Sequence, residues 1–536
     1  MKKTITMLLA GLLPVFAVAQ NEMPLTIFGK VHNTGSMKSS SEVYLRSGDS
    51  RSAAVENNGT LVIPSGIIFD SDDSRDGLLL NNGTVVAPSN PSQVQVRKKL
   101  STFKWYFVSF PFDVLVSSIT DNQGSPLTLD EDFYLNYYDI ETRAQQGVWD
   151  NNGNPRSHWQ DITSPGTVLK RGIGYQVAYD NELHPEGLEI VFPAQKPDDL
   201  TKLFSTSNDD KKFALDYFIG TNMDIANTSW GLNFIGTLST ANFQMSSGNL
   251  GGYAGWIQYY DVAQENYIDI DLDLDPKTLP PYTSFFTQAS GLEEKITYTQ
   301  QGLRLSEVET GIRSAAWNEA DIFTLAITNG RYTDRIKVYS GSSYDEGFYS
   351  KEDVVKFLSP SPNVPKVWIK KGNESLLIDK APYREIKRFS LGVNIETAGE
   401  YIFSPEKVYE GNYQEIWLTD HLSGKRINLL EEDYSLQVTS PFLSNERFSL
   451  EMRLNAPTGL DDIVSGSIHI YAVNQNIHVE GCAQGDVISI YNIAGQQVGS
   501  YRAEGDFVSI PCSAKGALIV KVIGATSFKV SKILNN

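Results

Sequence analysis

The stretch His32-Asn33-Thr34-Gly35-Ser36 recurs as Glu56-Asn57-Asn58-Gly59-Thr60 and again as Leu80-Asn81-Asn82-Gly83-Thr84. Its three glycines are 24 residues apart, and short apolar runs lie between them. A fixed period of this length with Asn-Gly turns is typical of stacked β-coils, because Asn and Gly tolerate positive φ and can mark corners. We therefore predict a short β-solenoid over residues 20–92. Separate hairpins joined by Asn-Gly turns are the alternative.

Two similar halves follow in residues 93–310. The segment Lys104-Trp105-Tyr106-Phe107 resembles Ser229-Trp230-Gly231-Leu232, and Asn136-Tyr137-Tyr138-Asp139 resembles Gln258-Tyr259-Tyr260-Asp261. The motifs have the same order in both halves, with strong turn signals such as Leu279-Pro280-Pro281. This pattern predicts duplicated antiparallel β-units. Because Trp105 and Trp230 lie at equivalent places in apolar strands, we expect both in the core.

Residues 311–457 alternate between apolar and polar side chains, as in Arg335-Ile336-Lys337-Val338-Tyr339. Alternation of this kind places one face of a strand on a core and the other in water, and it predicts a β-sandwich. A linker with Pro and Gly precedes residues 468–536, where short strands predict a C-terminal immunoglobulin-like β-sandwich. The expected fold class is therefore all-β throughout.

The last module resembles the C-terminal sorting domain of type IX secretion cargo from the Bacteroidetes lineage. The matching segments are Ile488-Ser489-Ile490-Tyr491-Asn492-Ile493-Ala494-Gly495-Gln496-Gln497-Val498, Gly516-Ala517-Leu518-Ile519-Val520-Lys521-Val522 and Lys529-Val530-Ser531-Lys532-Ile533. Leu518 stands where the family usually has Tyr. The resemblance implies export by the outer-membrane secretion machinery and attachment to the cell surface. Residues 311–454 also resemble the large domain that often precedes this tail and is generally structural or adhesive.

Residues 1–19 predict a signal peptide. Lys2 and Lys3 precede an apolar run from Met7 to Val18, and Ala17-Val18-Ala19 has the small-x-small pattern of a cleavage site. The run is shorter than the roughly 20 residues that a transmembrane helix needs. We therefore expect a secreted or cell-surface protein on the exterior of the outer membrane, with no transmembrane segment in the mature chain.

The chain is acidic, with a formal net charge of -19, and it has no basic stripe, which argues against nucleic acid as a partner. None of its six histidines lies in a metalloprotease spacing, and the sequence has neither a G-x-S-x-G elbow nor a P-loop. We therefore predict that the protein is not an enzyme and that it has no catalytic or cofactor-binding residues.

One acidic run is a candidate metal site. Asp269, Asp271, Asp273 and Asp275 alternate with apolar residues, so on a strand they would share one face. Four like charges repel there unless solvent or a cation screens them. These carboxylates are therefore candidate ligands for Ca²⁺. A solvated edge that resists aggregation is the alternative.

Cysteine and tryptophan residues supply the remaining candidates. The only two cysteines are Cys482 and Cys512, and a disulfide between them is allowed in an exported protein. Two buried thiols are the alternative. Trp149, Trp159 and Trp256 lie near polar loops, which makes them candidates for stacking on a glycan.

These observations favour a non-catalytic structural or adhesive protein, exported and surface-anchored through its C-terminal domain. A cell-surface carbohydrate-binding protein is the alternative, and it requires an exposed aromatic platform with polar groups beside it. Under either interpretation the expected partner is an extracellular glycan or protein.

Overall fold

The computed structural model describes residues 5–6, 24–46, 53–72, 75–150, 153–220, 229–253, 255–272, 276–305, 322–341, 344, 348–350, 352–372, 374–382, 386–407, 413–454, 468–473, 475–482, 484–492, 496–523 and 528–535. The predicted signal peptide lies outside these residues, apart from Ile5 and Thr6. Within the described part, no helix has both the length and the apolar character needed to cross a membrane. The chain divides into two compact units: residues 1–317, 349–364 and 372–374 form the first, and the rest form the second.

The first unit begins with a stack of β-coils whose successive strands pair in parallel within three sheets, which confirms the predicted solenoid. Strands one repeat apart pair in register, so that Asn33 lies beside Asn57 and Asn57 beside Asn81. A further strand, Ile5–Thr6, pairs with Leu25–Ile27. The strands of this coil stack are Leu25–Ile27, Val43–Leu45, Ile67–Ser71 and Val94–Leu100 in the first sheet, Lys30–Asn33, Ala54–Asn57 and Leu78–Asn81 in the second, and Ser36–Lys38, Thr60–Val62 and Thr84–Val86 in the third.

The asparagine that ends each strand of the second sheet lies inside the stack. The Nδ2 atom of Asn33 donates to Oδ1 of Asn57 at 2.7 Å, and Asn57 donates in the same way to Asn81 at 2.7 Å. Asn81 ends this ladder by donating to the carbonyl oxygen of Phe204 at 2.7 Å. The ladder therefore satisfies amide groups that would otherwise be buried without partners.

Two glycines of the repeat, Gly59 and Gly83, are needed for a reason different from the one expected. None of Gly35, Gly59 and Gly83 has a positive φ. Instead, a Cβ atom built on Gly59 would lie 2.0 Å from the carbonyl oxygen of Gly35, and one on Gly83 would lie 2.1 Å from that of Gly59. Glycine is thus required because successive coils pass too close for any side chain.

We expect Gly59→Ala to destabilise the coil stack by roughly 1–3 kcal/mol, because the new methyl group forces two coils apart. Gly35→Ala is the matched control, since a Cβ at Gly35 meets nothing within 4 Å. Urea unfolding of both variants tests the prediction, and equal losses of stability would contradict it.

The two halves of residues 93–310 have the same sheet topology, which confirms the duplication. When the four strands of each sheet are numbered along the chain, their order in the sheet is one, four, two, three. The fourth strand therefore lies between the first and the second. The sheet order is Tyr106–Ser109, Gly174–Tyr179, Phe133–Tyr138 and Trp159–Asp161 in the first half, and Leu232–Gly236, Ser284–Gln288, Ile257–Asp261 and Asn266–Ile270 in the second.

Smaller elements flank these sheets. Two short α-helices, Ile140–Gln146 and Pro197–Phe204, belong to the first half and had no predicted counterpart. The other strands of this region are Val114–Leu115, Thr120–Asp121, Val168–Leu169, Leu188–Pro193, Lys212–Ala214, Asn242–Met245, Lys277–Leu279, Lys295–Thr297 and Leu303–Arg304, and the first unit also contains Val354–Val355.

Equivalent aspartates have equivalent roles in the two halves. Oδ1 of Asp139 accepts a hydrogen bond from the backbone N–H of Thr142 at 2.9 Å and caps the first helix. Oδ1 of Asp261 accepts from the backbone N–H groups of Ala263 and Gln264 at 2.8 and 3.0 Å. The repeated Tyr-Tyr-Asp motif thus closes a strand each time, and its aspartate begins a helix in the first half and a turn in the second.

The β-sandwich predicted for residues 311–457 forms in the second unit from one continuous sheet that folds over on itself. The two ends of this sheet pack against each other, with Phe403 5.2 Å from Phe448 between ring centroids. A core therefore forms between parts of a single folded sheet. Its order is Lys425–Asn428, Tyr413–Asp420, Phe442–Leu454, Ile386–Ile395, Lys366–Lys371, Glu374–Pro382, Thr333–Gly341, Ile322–Thr328, Gly399–Lys407 and Tyr434–Val438.

The C-terminal module has two small sheets that enclose a core of its own. Both cysteines belong to this core, and both thiols are free, so the structure shows the alternative of two buried thiols in place of the disulfide between Cys482 and Cys512. The sheets are His469–Val473, Asn476–Glu480 and Phe507–Pro511, and Gln497–Arg502, Val487–Asn492, Gly516–Ile523 and Phe528–Asn535.

Candidate binding groove

Aromatic rings from both halves of the duplicated region meet in one cluster. The ring of Phe107 stacks on that of Tyr260 with centroids 4.7 Å apart, and Tyr138 meets Phe286 edge to face at 4.8 Å. Aromatic pairs at such distances add to the stability of an interface beyond the area that they bury. The cluster therefore joins the halves. It comprises Phe107, Tyr138, Trp159, Phe234, Tyr260, Tyr267, Phe286 and Phe357.

Main-chain contacts fix the same junction. Ile173 and Ile235 form an antiparallel bridge between the halves, and the backbone N–H of Gly236 donates to the carbonyl oxygen of Gly172 at 2.9 Å. A Cβ atom on Gly174 would lie 2.6 Å from the ring of Phe234, so glycine lets that ring lie directly on the sheet.

A groove of about 410 Å³ opens beside this junction. The rings of Tyr175 and Phe234 are buried in its lining, whereas Tyr137 is 40% exposed. Small-molecule sites are typically recesses of roughly 300–1,000 Å³ with mostly apolar walls and a few polar groups. The lining consists of Tyr137, Tyr138, Ile140, Asp161, Ile162, Thr163, Ser164, Thr167, Ile173, Gly174, Tyr175, Asp216, Asn233, Phe234 and Ile235.

The polar groups of the groove are held by neighbouring strands. Asp161 lies opposite Asn136 on the neighbouring strand. With the side-chain amide of Asn136 oriented so that its nitrogen faces acceptors, that nitrogen donates to Oδ1 of Asp161 at 2.9 Å. Asn233 accepts a hydrogen bond from the backbone N–H of Asp216 at 2.9 Å and donates to the carbonyl oxygen of the same residue at 2.9 Å. These bonds fix the carboxylate of Asp161 and the backbone of Asp216 in the lining.

Behind the aromatic cluster lies a buried guanidinium group. Arg143 is 3% exposed, and its guanidinium lies 4.6 Å from the ring centroid of Phe357 and donates to the hydroxyl of Tyr138. Its Nη2 atom has no hydrogen-bond partner among the described residues. Burial raises the pKa of the Tyr138 hydroxyl, which therefore stays neutral at ordinary pH.

His158 lies close to this group and is 3% exposed. Its Nε2 atom is 2.9 Å from the carbonyl oxygen of Gly147, so the neutral ring must carry its proton on Nε2. Burial and, secondarily, the positive charge of Arg143 lower the pKa of His158 to about 4.

We expect the stability of the first unit to fall as the pH drops below about 6.5, the ordinary pKa of histidine. Between pH 6.5 and 4 the unfolded chain binds the proton of His158 more tightly than the folded chain does, so acid favours unfolding. The expected loss is about 2 kcal/mol between pH 7 and pH 5. The test is urea unfolding of the wild type and of His158→Gln, whose amide can still donate to Gly147, at both pH values. Between pH 7 and pH 5 the variant should lose less free energy of unfolding than the wild type does. Equal pH dependence in both proteins would show that another group is responsible.

The tryptophans proposed for glycan stacking do not form one platform. Trp256 is 5% exposed, so this candidate was wrong, because a buried indole cannot stack on an external sugar. Trp159 lies in the aromatic cluster beside the groove. Half-buried Trp149 lies in a loop, where it forms a β-bridge with Pro155.

Trp105 was expected in the core and is 37% exposed. It directly precedes a strand whose first residue, Tyr106, is the one that is buried.

The acidic run does not form one strand face. Its strand ends at Ile270, so of the described aspartates Asp269 lies in the strand and Asp271 lies beyond it. Asp273 and Asp275 lie outside the described residues. Among the residues that the structure describes, no group of three or more His, Cys, Asp or Glu side chains is arranged to hold a metal ion.

The groove residues were not recognised as a site from the sequence. The signal that could have found Tyr137 is the repeated pair of tyrosines, which are adjacent in a strand and must face opposite sides. Tyr138 faces the junction between the halves, so Tyr137 faces solvent. Asp161 and Tyr175 carried no such signal.

No protein-family model matches this chain, and no curated protein matches it. Among solved structures, a polysaccharide lyase is 12% identical over 40% of this chain, which spans 39% of the lyase, with a TM-score of 0.13. The BSP domain of a biofilm associated protein is also 12% identical, over 81% of this chain and 96% of that one, with a TM-score of 0.12. Likenesses at these TM-scores bear on neither the function nor the ligand, so the chain is described by its own structure as an all-β protein of several modules.

Proposed function

We propose that this chain is a non-catalytic structural or adhesive protein of the cell surface. The observation that supports this most is the groove, a recess of ligand-binding size on a scaffold whose coils and halves are joined by main-chain hydrogen bonds. Sites on rigid strands hold their groups more precisely than sites on loops. Its lining residues include no histidine, cysteine or lysine, so a serine or cysteine nucleophile paired with a histidine or lysine base has no counterpart among them. The carboxylates of the lining are the groups that remain to be tested for catalysis.

The proposal predicts that the purified protein releases no product from starch, cellulose, xylan, pectin or casein. Asp161 and Asp216 are the carboxylates of the lining, and a glycosidase would need such a pair. The test is an assay for reducing ends and for peptide release with the wild type. Turnover that disappears in Asp161→Asn or Asp216→Asn would overturn the non-catalytic function.

We further propose that the protein is exported, with outer-membrane secretion machinery as the partner of residues 468–536. The resemblance of this module to type IX sorting domains supports the proposal, as does the predicted signal peptide. In a bacterium with a type IX secretion system, antibody should label intact cells that make the full chain and should not label cells that make a chain ending at residue 467. Equal labelling would contradict a sorting role for the module.

A further inference from the structure

We infer that the groove binds a neutral oligosaccharide, with the ring of Tyr137 as its stacking surface. This inference deepens the proposed function and rests on it, since it names the ligand class of an adhesive protein. The size of the groove, the chemistry of its lining and the rigidity of its floor all favour such a ligand.

The lining combines an aromatic ring with hydrogen-bonding groups, as a sugar ligand requires. A sugar ring has an apolar face and a rim of hydroxyl groups, so it needs a flat ring on one side and hydrogen-bonding groups around it. The groove supplies the half-exposed ring of Tyr137 together with Thr163 and Ser164, whose side chains are exposed. Hydroxyl groups donate and accept hydrogen bonds, and carboxylates such as Asp161 and Asp216 accept them.

The charge of the lining selects against anionic ligands. The lining contains two carboxylates and no lysine, arginine or histidine, in a chain with a net charge of -19. Acidic sugars, sulfated sugars and phosphates would be repelled there, since like charges suppress association. The lining therefore favours a neutral ligand rich in hydroxyl groups.

The backbone around the groove is already ordered without a ligand. The Ile173–Ile235 bridge fixes the floor of the groove, and the Nδ2 atom of Asn233 also donates to the carbonyl oxygen of Gly231 at 2.8 Å. The backbone at Asp216 is thus fastened to a strand of the second half. A site held in this way spends less free energy on ordering when its ligand arrives.

The experiment is calorimetry with the full chain and four neutral hexasaccharides, namely those of cellulose, xylan, mannan and chitin, together with the hexamer of galacturonic acid. We expect at least one neutral sugar to bind with a Kd below about 1 mM, which corresponds to a binding free energy of about −4 kcal/mol. The galacturonic acid hexamer should not bind. Tyr137→Ala should weaken the binding about 10-fold or more. Tyr137→Phe, which keeps the ring, should bind within about 3-fold of the wild type.

Tyr501→Ala is the matched control, because Tyr501 is 39% exposed and lies in the C-terminal module. It should leave binding unchanged. The inference is overturned if none of the four neutral sugars binds at 10 mM, if Tyr137→Ala binds as the wild type does, or if the acidic hexamer binds more tightly than the neutral ones. A bound sugar that is also cleaved would refute the non-catalytic function while leaving this inference in place, and silence of all sugars would leave surface display intact.

Discussion

Replacing Asn57 by leucine is expected to destabilise the coil stack by about 4 kcal/mol. Asn57 is fully buried in the middle of the asparagine ladder. It donates to Asn81 at 2.7 Å and to the carbonyl oxygen of Thr84 at 3.1 Å, and it accepts from Asn33 at 2.7 Å. Leucine has a similar size but leaves these groups buried without partners, at a cost of about 1–3 kcal/mol each.

The exposed neighbour provides the control. Asn58 accepts a hydrogen bond from Asn82 at 2.9 Å across the same two coils, but water can replace that bond at the surface. Asn58→Ala should therefore change stability by no more than about 0.5 kcal/mol. Hydrogen exchange of the backbone N–H groups of Asn58 and Thr60, which donate to the preceding coil, reports on the stack directly. Protection in Asn57→Leu equal to that in Asn58→Ala would show that the ladder contributes little.

The coil stack could be predicted because its contacts repeat at a fixed distance along the chain. A 24-residue period places equivalent atoms one above another, so the pattern itself encodes which strands pair. The role of Gly59 could not be predicted in the same way. It depends on the 2.0 Å approach to the carbonyl oxygen of Gly35, which is a property of the packed coils.

The groove could not be predicted because its walls come from distant parts of the chain. Tyr137 and Tyr175 become neighbours only when their strands pair, and Phe234 belongs to the other half.

The burial of a side chain likewise depends on which face of its sheet packs against another element. Trp105 and Trp230 are equivalent in the repeat, yet Trp105 is exposed and Trp230 is half-buried.

The other large effect is expected at Asp420 in the second unit. Its carboxylate is 1% exposed, and it accepts hydrogen bonds from Nε and Nη2 of Arg447 at 3.0 and 2.9 Å and from the hydroxyl of Tyr434 at 2.8 Å. Tyr434 begins the strand at one end of the folded sheet, and Asp420 ends a strand near the other. This carboxylate therefore fastens the two ends of the sheet together.

Asp420→Ala should destabilise the second unit by about 3–5 kcal/mol, because it leaves the guanidinium of Arg447 without its buried partner. Glu406→Ala, which breaks an exposed pair with Arg335, is the control and should cost about 0–1 kcal/mol. Urea unfolding of both variants at pH 7 gives the comparison. Similar losses of stability in the two variants would show that the buried Asp420–Arg447 pair contributes no more stability than an exposed ion pair.

The pH dependence distinguishes loss of the ion pair from loss of packing. Burial alone would raise the pKa of Asp420, but the hydrogen bonds from Arg447 and Tyr434 outweigh burial and hold that pKa well below its ordinary value. The pair therefore contributes its full stability above about pH 4, near the ordinary pKa of aspartate, and loses it as the pH falls toward the folded pKa. The gap between wild type and Asp420→Ala should narrow in acid. A gap that stays constant from pH 7 to pH 2 would assign the effect to packing instead of charge.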